Sequence, residues 1–203
     1  MNHFLAVANI LSRVIFIFGL VLLIPCAVAY WTQDGSLPEF LKALFITLGS
    51  GATIWLLTQR FKRELQIRDG FLLVVLVWLS LPVFGMLPLL FHFPELSIAK
   101  SYFEAASGLT STGATILTGL DTLPYAINLW RCLIAWLGGM GLIVLAVAIL
   151  PMLGVGGRQL FSAEAPGPIK ESRLTPRIAE TAKRLWLIYV VLTIVCAIAY
   201  WQA

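Results

Sequence analysis

The reading of this chain turns on "SYFEAASGLTSTGATILTGLD", residues Ser101 to Asp121. It lies between two long apolar runs, yet it is too rich in Gly, Ala, Ser and Thr to cross a bilayer as they do. Its first part has the pattern of a short helix. Ser101 is the expected N-cap, and Glu104 three residues on completes a capping box. About ten helical residues cover roughly 15 Å, half the thickness of the hydrocarbon layer. The polar residues that follow hold Gly113, whose backbone reaches conformations closed to other residues. A half-length helix and a small polar return strand have the outline of a re-entrant loop. An ordinary loop outside the membrane, with a helical turn in it, fits the same residues, and at this level both readings stand.

The surroundings are those of a membrane protein. Of the 203 residues, 60% are hydrophobic and 12% charged, and the mean hydropathy is +0.92. Soluble domains carry about a quarter charged residues. Five apolar segments stand out, each near the roughly 20 residues a helix needs to cross the hydrocarbon. They are Val14–Trp31 with a kink expected at Pro25, Glu39–Gln59, Gly70–Phe91 interrupted by Pro82, Gly85 and Pro88, Leu129–Leu150, and Leu185–Trp201. Gly49, Ser50 and Gly51 in the second suit close contact with a neighbouring helix. The first reads as a span and not as a cleavable leader, because it lacks a small-residue cleavage site. Cys26, Cys132 and Cys196 lie singly in apolar runs, the pattern of small core residues and not of a metal or redox site.

Net charge is +4, and its distribution carries the topology. With the amino terminus inside, Arg13, the cluster at 60–68 and the cluster at 158–184 place eleven of the fourteen Lys and Arg residues on the cytoplasmic side. Only Lys42, Lys100 and Arg131 fall outside. That asymmetry is the positive-inside signal, and it explains the basic clusters better than a nucleic-acid patch does. It also sends segment 92–128 outward, between an outgoing and a returning helix.

In that position a re-entrant loop has a definite chemistry. Non-helical backbone at membrane depth is tolerated only where protein buries it or where it lines a water-filled path. Carbonyl oxygens of an extended strand can replace the hydration shell of a cation. Ser111, Thr112, Ala114 and Thr115 are small enough for several such strands to meet on one axis. Glu104 and Asp121 flank the loop and lower the potential for an approaching cation. Arg131 is expected to snorkel at the outer edge.

Other motifs carry less. Gly138-x-x-Gly141 in "LGGMG" reads first as close helix packing. "GVGGRQ" at 154–159 is no dinucleotide loop, since Gln159 replaces the last Gly and no strand precedes it. His3 and His92 have no partner at ligand spacing. With no nucleophile–base set, Walker loop or HExxH, no enzyme and no organic cofactor are expected. "APGPIKESRLTPR" reads as a cytoplasmic linker broken by Pro and Gly.

Several of these stretches are long and specific. "DGFLLVVLVWLSLPVFGMLPLLF", "FEAASGLTSTGAT", "GLDTLP", "WLGGMGLIVLAVAILPMLGVGG" and "PRIAETAKRLWLIYV", in this order, resemble the TrkH/TrkG branch of bacterial potassium uptake proteins, related to KtrB. The resemblance runs from the first span to the last residue. It implies an all-α membrane protein of about five spans, with a potassium-channel-like helix–pore loop–helix repeat preceded by two extra transmembrane helices. Residues 1–69 would be the two peripheral helices with their cytoplasmic loop and 70–150 the first repeat. Residues 151–184 would be a cytoplasmic linker, and 185–203 the first helix of an incomplete second repeat. The filter glycine maps onto Gly113. Ser111 and Thr112 adjoin it as carbonyl donors to potassium, and Thr110 and Ala114 flank them. Many relatives have Thr where Ser111 stands, a change that a carbonyl donor tolerates.

The resemblance further implies potassium uptake across the bacterial inner membrane as the translocating subunit of a Trk system. A TrkA-type cytosolic nucleotide-binding subunit would be the regulator, with Arg173 and Arg177 on the docking side, and the full-length form would be a homodimer. Complete members are over twice this long and supply four filter loops; this chain supplies one. The sequence therefore reads as an amino-terminal portion. A non-conducting membrane interaction or assembly fragment is the alternative, and four copies around one pore are awkward to build with a fifth helix and two peripheral ones.

Overall fold

The first two helices form one broken rod, and proline chemistry explains the break. Helix α1 (Asn2–Val21) ends where Pro25 can offer no N–H to the Val21 carbonyl, and α2 (Leu23–Thr32) continues beyond Leu22. Helix α3 (Leu37–Thr58) returns alongside α1. Their antiparallel register is fixed at one end by Asn9 Nδ2 donating to Thr58 Oγ1 at 3.1 Å. Of the expected small-residue trio, Gly51 makes the close approach: a Cβ there would stand 3.0 Å from the Phe16 backbone nitrogen. Gly49 has nothing within 4 Å.

The next helix is broken in the same way. Helix α4 (Ile67–Gly85) carries Pro82 inside it, and α5 (Leu87–His92) opens with Pro88. Helix α6 (Ile98–Leu109) is the short one, followed by irregular chain and a 3-10 turn at Leu120–Thr122. Two long helices close the order, α7 (Tyr125–Met152) and α8 (Leu174–Gln202). The computed structural model describes residues 2–60, 67–152 and 174–202, and every regular element among them is helical.

Among the described residues, five helical stretches are long and apolar enough to cross a membrane: Phe4–Thr32, Leu37–Thr58, Arg68–His92, Tyr125–Ile143 and Glu180–Gln202. The five expected spans are all present. The first starts ten residues earlier than hydropathy suggested, because the polar side chains of Asn9 and Ser12 are buried with hydrogen-bond partners and do not end the helix. Most of the expected linker at 151–184, with "GVGGRQ" and Arg173, lies outside the described residues. Its last part, from Leu174, is helix.

The chain divides into two compact units, Met1–Gly138 and Gly139–Ala203. Among the described residues, the second comprises the end of α7 and α8. The first contains the core, and its centre is Trp130 on α7, fully buried. Phe18 of α1 tilts against it at 5.5 Å between ring centroids, and Phe40 of α3 meets it edge-on at 6.4 Å. Its indole N–H donates to the Gly85 carbonyl at 2.9 Å, where the α4–α5 break disturbs the helical ladder. One side chain thus joins the peripheral pair, the broken helix and the helix that follows the loop. A second tie is Asp34, between α2 and α3: its Oδ2 accepts from the Ala126 amide at 2.9 Å, capping the start of α7 from 92 residues away.

Candidate functional site

Helix α6 and the strand that returns from it are held together by side chains three residues apart. Glu104 and Ser107 share one helix face, as that spacing requires. Ser107 Oγ donates to the Ala114 carbonyl at 2.6 Å. One turn earlier, Glu104 accepts from Thr115 Oγ1 at 2.8 Å and from the Ile116 amide at 3.0 Å. The extended strand, which cannot satisfy its own backbone, is thereby zipped to the helix.

The cap is not where the sequence suggested. Ser97, extended at φ −69° and ψ 158°, is the N-cap, and its hydroxyl accepts from the Lys100 amide at 3.3 Å. The helix begins earlier than expected because Ile98, Ala99 and Lys100 contain no breaker, so the first serine caps it. Ser101 then falls inside the helix, fully buried, with no partner for its hydroxyl among the described residues. Glu104 is correspondingly not the reciprocal member of a capping box.

Nor does Glu104 present a free charge to approaching cations. It is 4% exposed, and its Oε1 accepts from Arg131 Nε at 2.9 Å. Arg131, on α7, does not snorkel: it also reaches Thr115 Oγ1 at 3.2 Å with its second nitrogen. The pair neutralises itself behind the loop and links α6, the return strand and α7 in one network. Asp121 sits exposed on the 3-10 turn.

The turn between helix and strand has an alternating hand. Thr110 has φ −80°, Ser111 φ +54° and Gly113 φ +77°, while Thr112 and Ala114 are not left-handed. In a strand of uniform hand successive carbonyls alternate sides, whereas alternation of right- and left-handed residues turns the peptide units the same way. The amides of Ser111 and Thr112 point back to the Gly108 and Ser107 carbonyls, at 2.9 and 3.0 Å. Among the described residues, none donates to the carbonyl oxygens of Thr110, Ser111, Thr112 or Gly113. The residues from Thr110 to Ile116 are exposed.

Side chains fix this backbone. Thr110 and Thr112 share a hydroxyl–hydroxyl hydrogen bond of 2.7 Å, and Ser111 Oγ donates to the Ala135 carbonyl on α7 at 3.1 Å. The Ala114 carbonyl, taken by Ser107, belongs to the scaffold. Close beneath, α7 presses on the end of α6 at Gly138, where a Cβ would overlap the Leu109 carbonyl. Gly141 has nothing within 4 Å among the described residues, so of the Gly138-x-x-Gly141 pair Gly138 makes the close contact. A cavity of about 160 Å³ separates the loop from α7, bounded by Glu104, Gly113 and Arg131 among others.

Comparison with known proteins places this arrangement. Residues 36–203 match the TrkH family, described as a cation transport protein. The chain belongs to the TrkH family. It is 50% identical over 202 residues to the Trk system potassium uptake protein TrkH of Salmonella typhimurium, covering 99% of this chain and 42% of that protein. It is 37% identical over 202 residues to the Trk system potassium uptake protein TrkG of Escherichia coli K12, covering 98% of this chain and 41% of that one. The crystal structure of the potassium transporter TrkH from Vibrio parahaemolyticus superposes with a TM-score of 0.82 at 44% identity, over 98% of this chain and 39% of that one. The chain thus spans about two fifths of the length of these relatives.

The TrkH-family fold is that expected: a potassium-channel-like repeat of α4–α5, the α6 loop and α7, preceded by two extra helical spans, in a multi-pass membrane protein. The structure brings Thr110, Ser111, Thr112, Gly113 and Ala114 together in one turn, as contiguity required. The Glu104–Arg131 pair was missed. Sequence order gave no signal for it: Lys100 stands nearer to Glu104 along the chain, and Asp121 nearer to Arg131, than the two stand to each other.

Proposed function

We propose that this chain forms part of the potassium-translocating subunit of a Trk system, and that its α6 loop supplies one side of the ion path. The observation that carries this is the run of carbonyls at Thr110–Gly113, engaged by no donor among the described residues, on a backbone of alternating hand. Ser111 and Thr112 are the potassium ligands through their carbonyls. Gly113 holds the left-handed position that completes the turn, with Thr110 at the flank. Ala114, whose carbonyl Ser107 occupies, flanks as a brace and not as a ligand. The ion is cargo, and nothing in the process requires a chemical reaction.

One loop faces an ion from one side, so the remaining ligands come from further loops. The relatives that are named as potassium uptake proteins are more than twice as long, which supports a supply from the same polypeptide. In the same reading the protein lies in the inner membrane with its amino terminus cytoplasmic, where the basic residues gather. A TrkA-type nucleotide-binding subunit regulates it from that side, and the complete form is a homodimer.

The test is rubidium uptake in cells without their own potassium uptake systems. The chain is joined to the remainder of the Salmonella typhimurium TrkH relative in place of the matching segment, and expressed with a TrkA-type partner. Uptake and growth at limiting potassium are expected, and Gly113→Arg abolishes both. A chimera that reaches the membrane and transports equally well with Gly113→Arg would overturn the assignment. Uptake by the 203-residue chain alone would show that copies of this single loop suffice.

A further inference from the structure

A groove of about 490 Å³ runs between α1 and α3, away from the pore loop. Its walls are Phe16, Ile17, Gly51 and Ala52, and at one end stand Arg13 and Trp55. It lies beside the close contact at Gly51, where a Cβ would stand 3.0 Å from the Phe16 backbone nitrogen. Both helices are membrane spans, so what covers the groove in place is apolar.

Arg13 is the feature that an apolar groove does not explain. It lies within the stretch Phe4–Thr32, one helical turn deeper than Asn9, whose side chain is tied to Thr58 near the end of α3. It is exposed and has no ion pair among the described residues. A guanidinium at the membrane boundary with no ion-pair partner among the described residues needs an anion or water. Arg60, just past the end of α3, is exposed on the same end of the helix pair. Trp55, 43% exposed at the rim, has the amphipathic ring found at the headgroup level.

We infer that this groove is a binding site for an anionic phospholipid. One acyl chain lies along Phe16, Ile17, Gly51 and Ala52, and the phosphate sits on Arg13 with Trp55 beside the glycerol region. Charge complementarity selects the headgroup: a phosphodiester without a balancing ammonium pairs with Arg13 and is further drawn by Arg60. Guanidinium–phosphate hydrogen bonding is bidentate and charge-assisted, which an ordinary boundary lipid of zwitterionic headgroup matches poorly. Each basic residue near the surface gives about a five-fold preference for anionic lipid.

The test reads Trp55 directly. The 203-residue chain is reconstituted in phosphatidylcholine bilayers containing rising fractions of acyl-brominated phosphatidylglycerol, or of acyl-brominated phosphatidylcholine. The Trp55 contribution is taken as the difference from Trp55→Phe. With Arg13 and Arg60 both present, half-maximal quenching is expected at about a 25-fold lower mole fraction of phosphatidylglycerol. Arg13→Gln cuts that preference to about five-fold, and Arg13→Lys keeps most of it. Ala52→Phe, which fills the groove from its wall without touching the charge, lowers quenching by both lipids. Equal quenching by the two lipids in the wild-type chain would overturn the proposal, since the groove then takes any acyl chain. Quenching by neither would overturn it too, showing that a second copy or another protein segment covers the groove.

Discussion

Removing one member of the Glu104–Arg131 pair is the sharpest perturbation this structure offers. Glu104 is 4% exposed and Arg131 17%, so water screens the pair little. Glu104→Met takes acceptors from Arg131 Nε, the Thr115 hydroxyl and the Ile116 amide at once. Breaking a buried pair from one side costs about 3–5 kcal/mol, because the surviving charge stays buried without a partner. Arg131→Met leaves the carboxylate its Thr115 and Ile116 donors, so its loss falls at the lower end of that range. The double replacement removes both charges, and it is expected to be less destabilised than the sum of the singles by about 2 kcal/mol or more. The assay is thermal unfolding of the detergent-solubilised chain, followed by tryptophan fluorescence, for all four members of the cycle. In parallel, rubidium and sodium uptake by the chimera with the Salmonella typhimurium relative shows whether the Thr115 end of the loop has loosened. Reduced discrimination between the two ions is expected in each single variant. Strict additivity of the two replacements would refute the pairing argument, whatever the size of each effect.

Gly138→Ala drives a methyl group into the Leu109 carbonyl at the end of α6; a loss of about 1–3 kcal/mol in thermal unfolding is expected, with Gly141→Ala nearly silent as the control. Trp130→Phe keeps most of the aromatic packing but leaves the Gly85 carbonyl without its donor, for a loss of about 1–3 kcal/mol by the same measurement. Asp34 is shaped by opposing effects: burial raises its pKa, while hydrogen bonds from the Ser36 side chain, the Ala126 and Ser36 amides and Thr32 outweigh it and hold the carboxyl below the usual range. A depressed folded-state pKa means that Asp34 contributes fully above its unfolded value near 3.8 and loses that contribution as pH falls through the folded value. Asp34→Asn should therefore destabilise α7's start at neutral pH by about 1 kcal/mol, and the difference from wild type should vanish in strong acid, as melting curves across pH will show.

The spans were legible because bilayer thickness and backbone hydrogen bonding leave a chain in lipid few options. An apolar run near 20 residues, bounded by charges, becomes a helix whatever its neighbours. The half-length helix and its small polar return were legible for the same reason, since a stretch too short and too polar to cross has to turn back or stay out. The N-cap was misplaced because Ser97 and Ser101 carry the same local chemistry, four residues apart. With no breaker at Ile98–Lys100 the helix extends back to the first of them, Ser97. Gly138 and Gly141 posed a similar ambiguity: identical residues on one helix, of which, among the described residues, the one facing Leu109 has a close neighbour.

What the sequence by itself determined is the number of spans and the place of the half-length helix with its small polar return around Gly113. These follow from transfer free energy and from the conformations open to each residue, which are properties of short stretches. What only the tertiary structure decided is which polar groups meet. Glu104 with Arg131, Asp34 with the Ala126 amide and Trp130 with the Gly85 carbonyl join positions 27 to 92 residues apart. Hydrogen bonds and ion pairs act over a few ångströms and are directional. Such partners become defined only once the helices have packed.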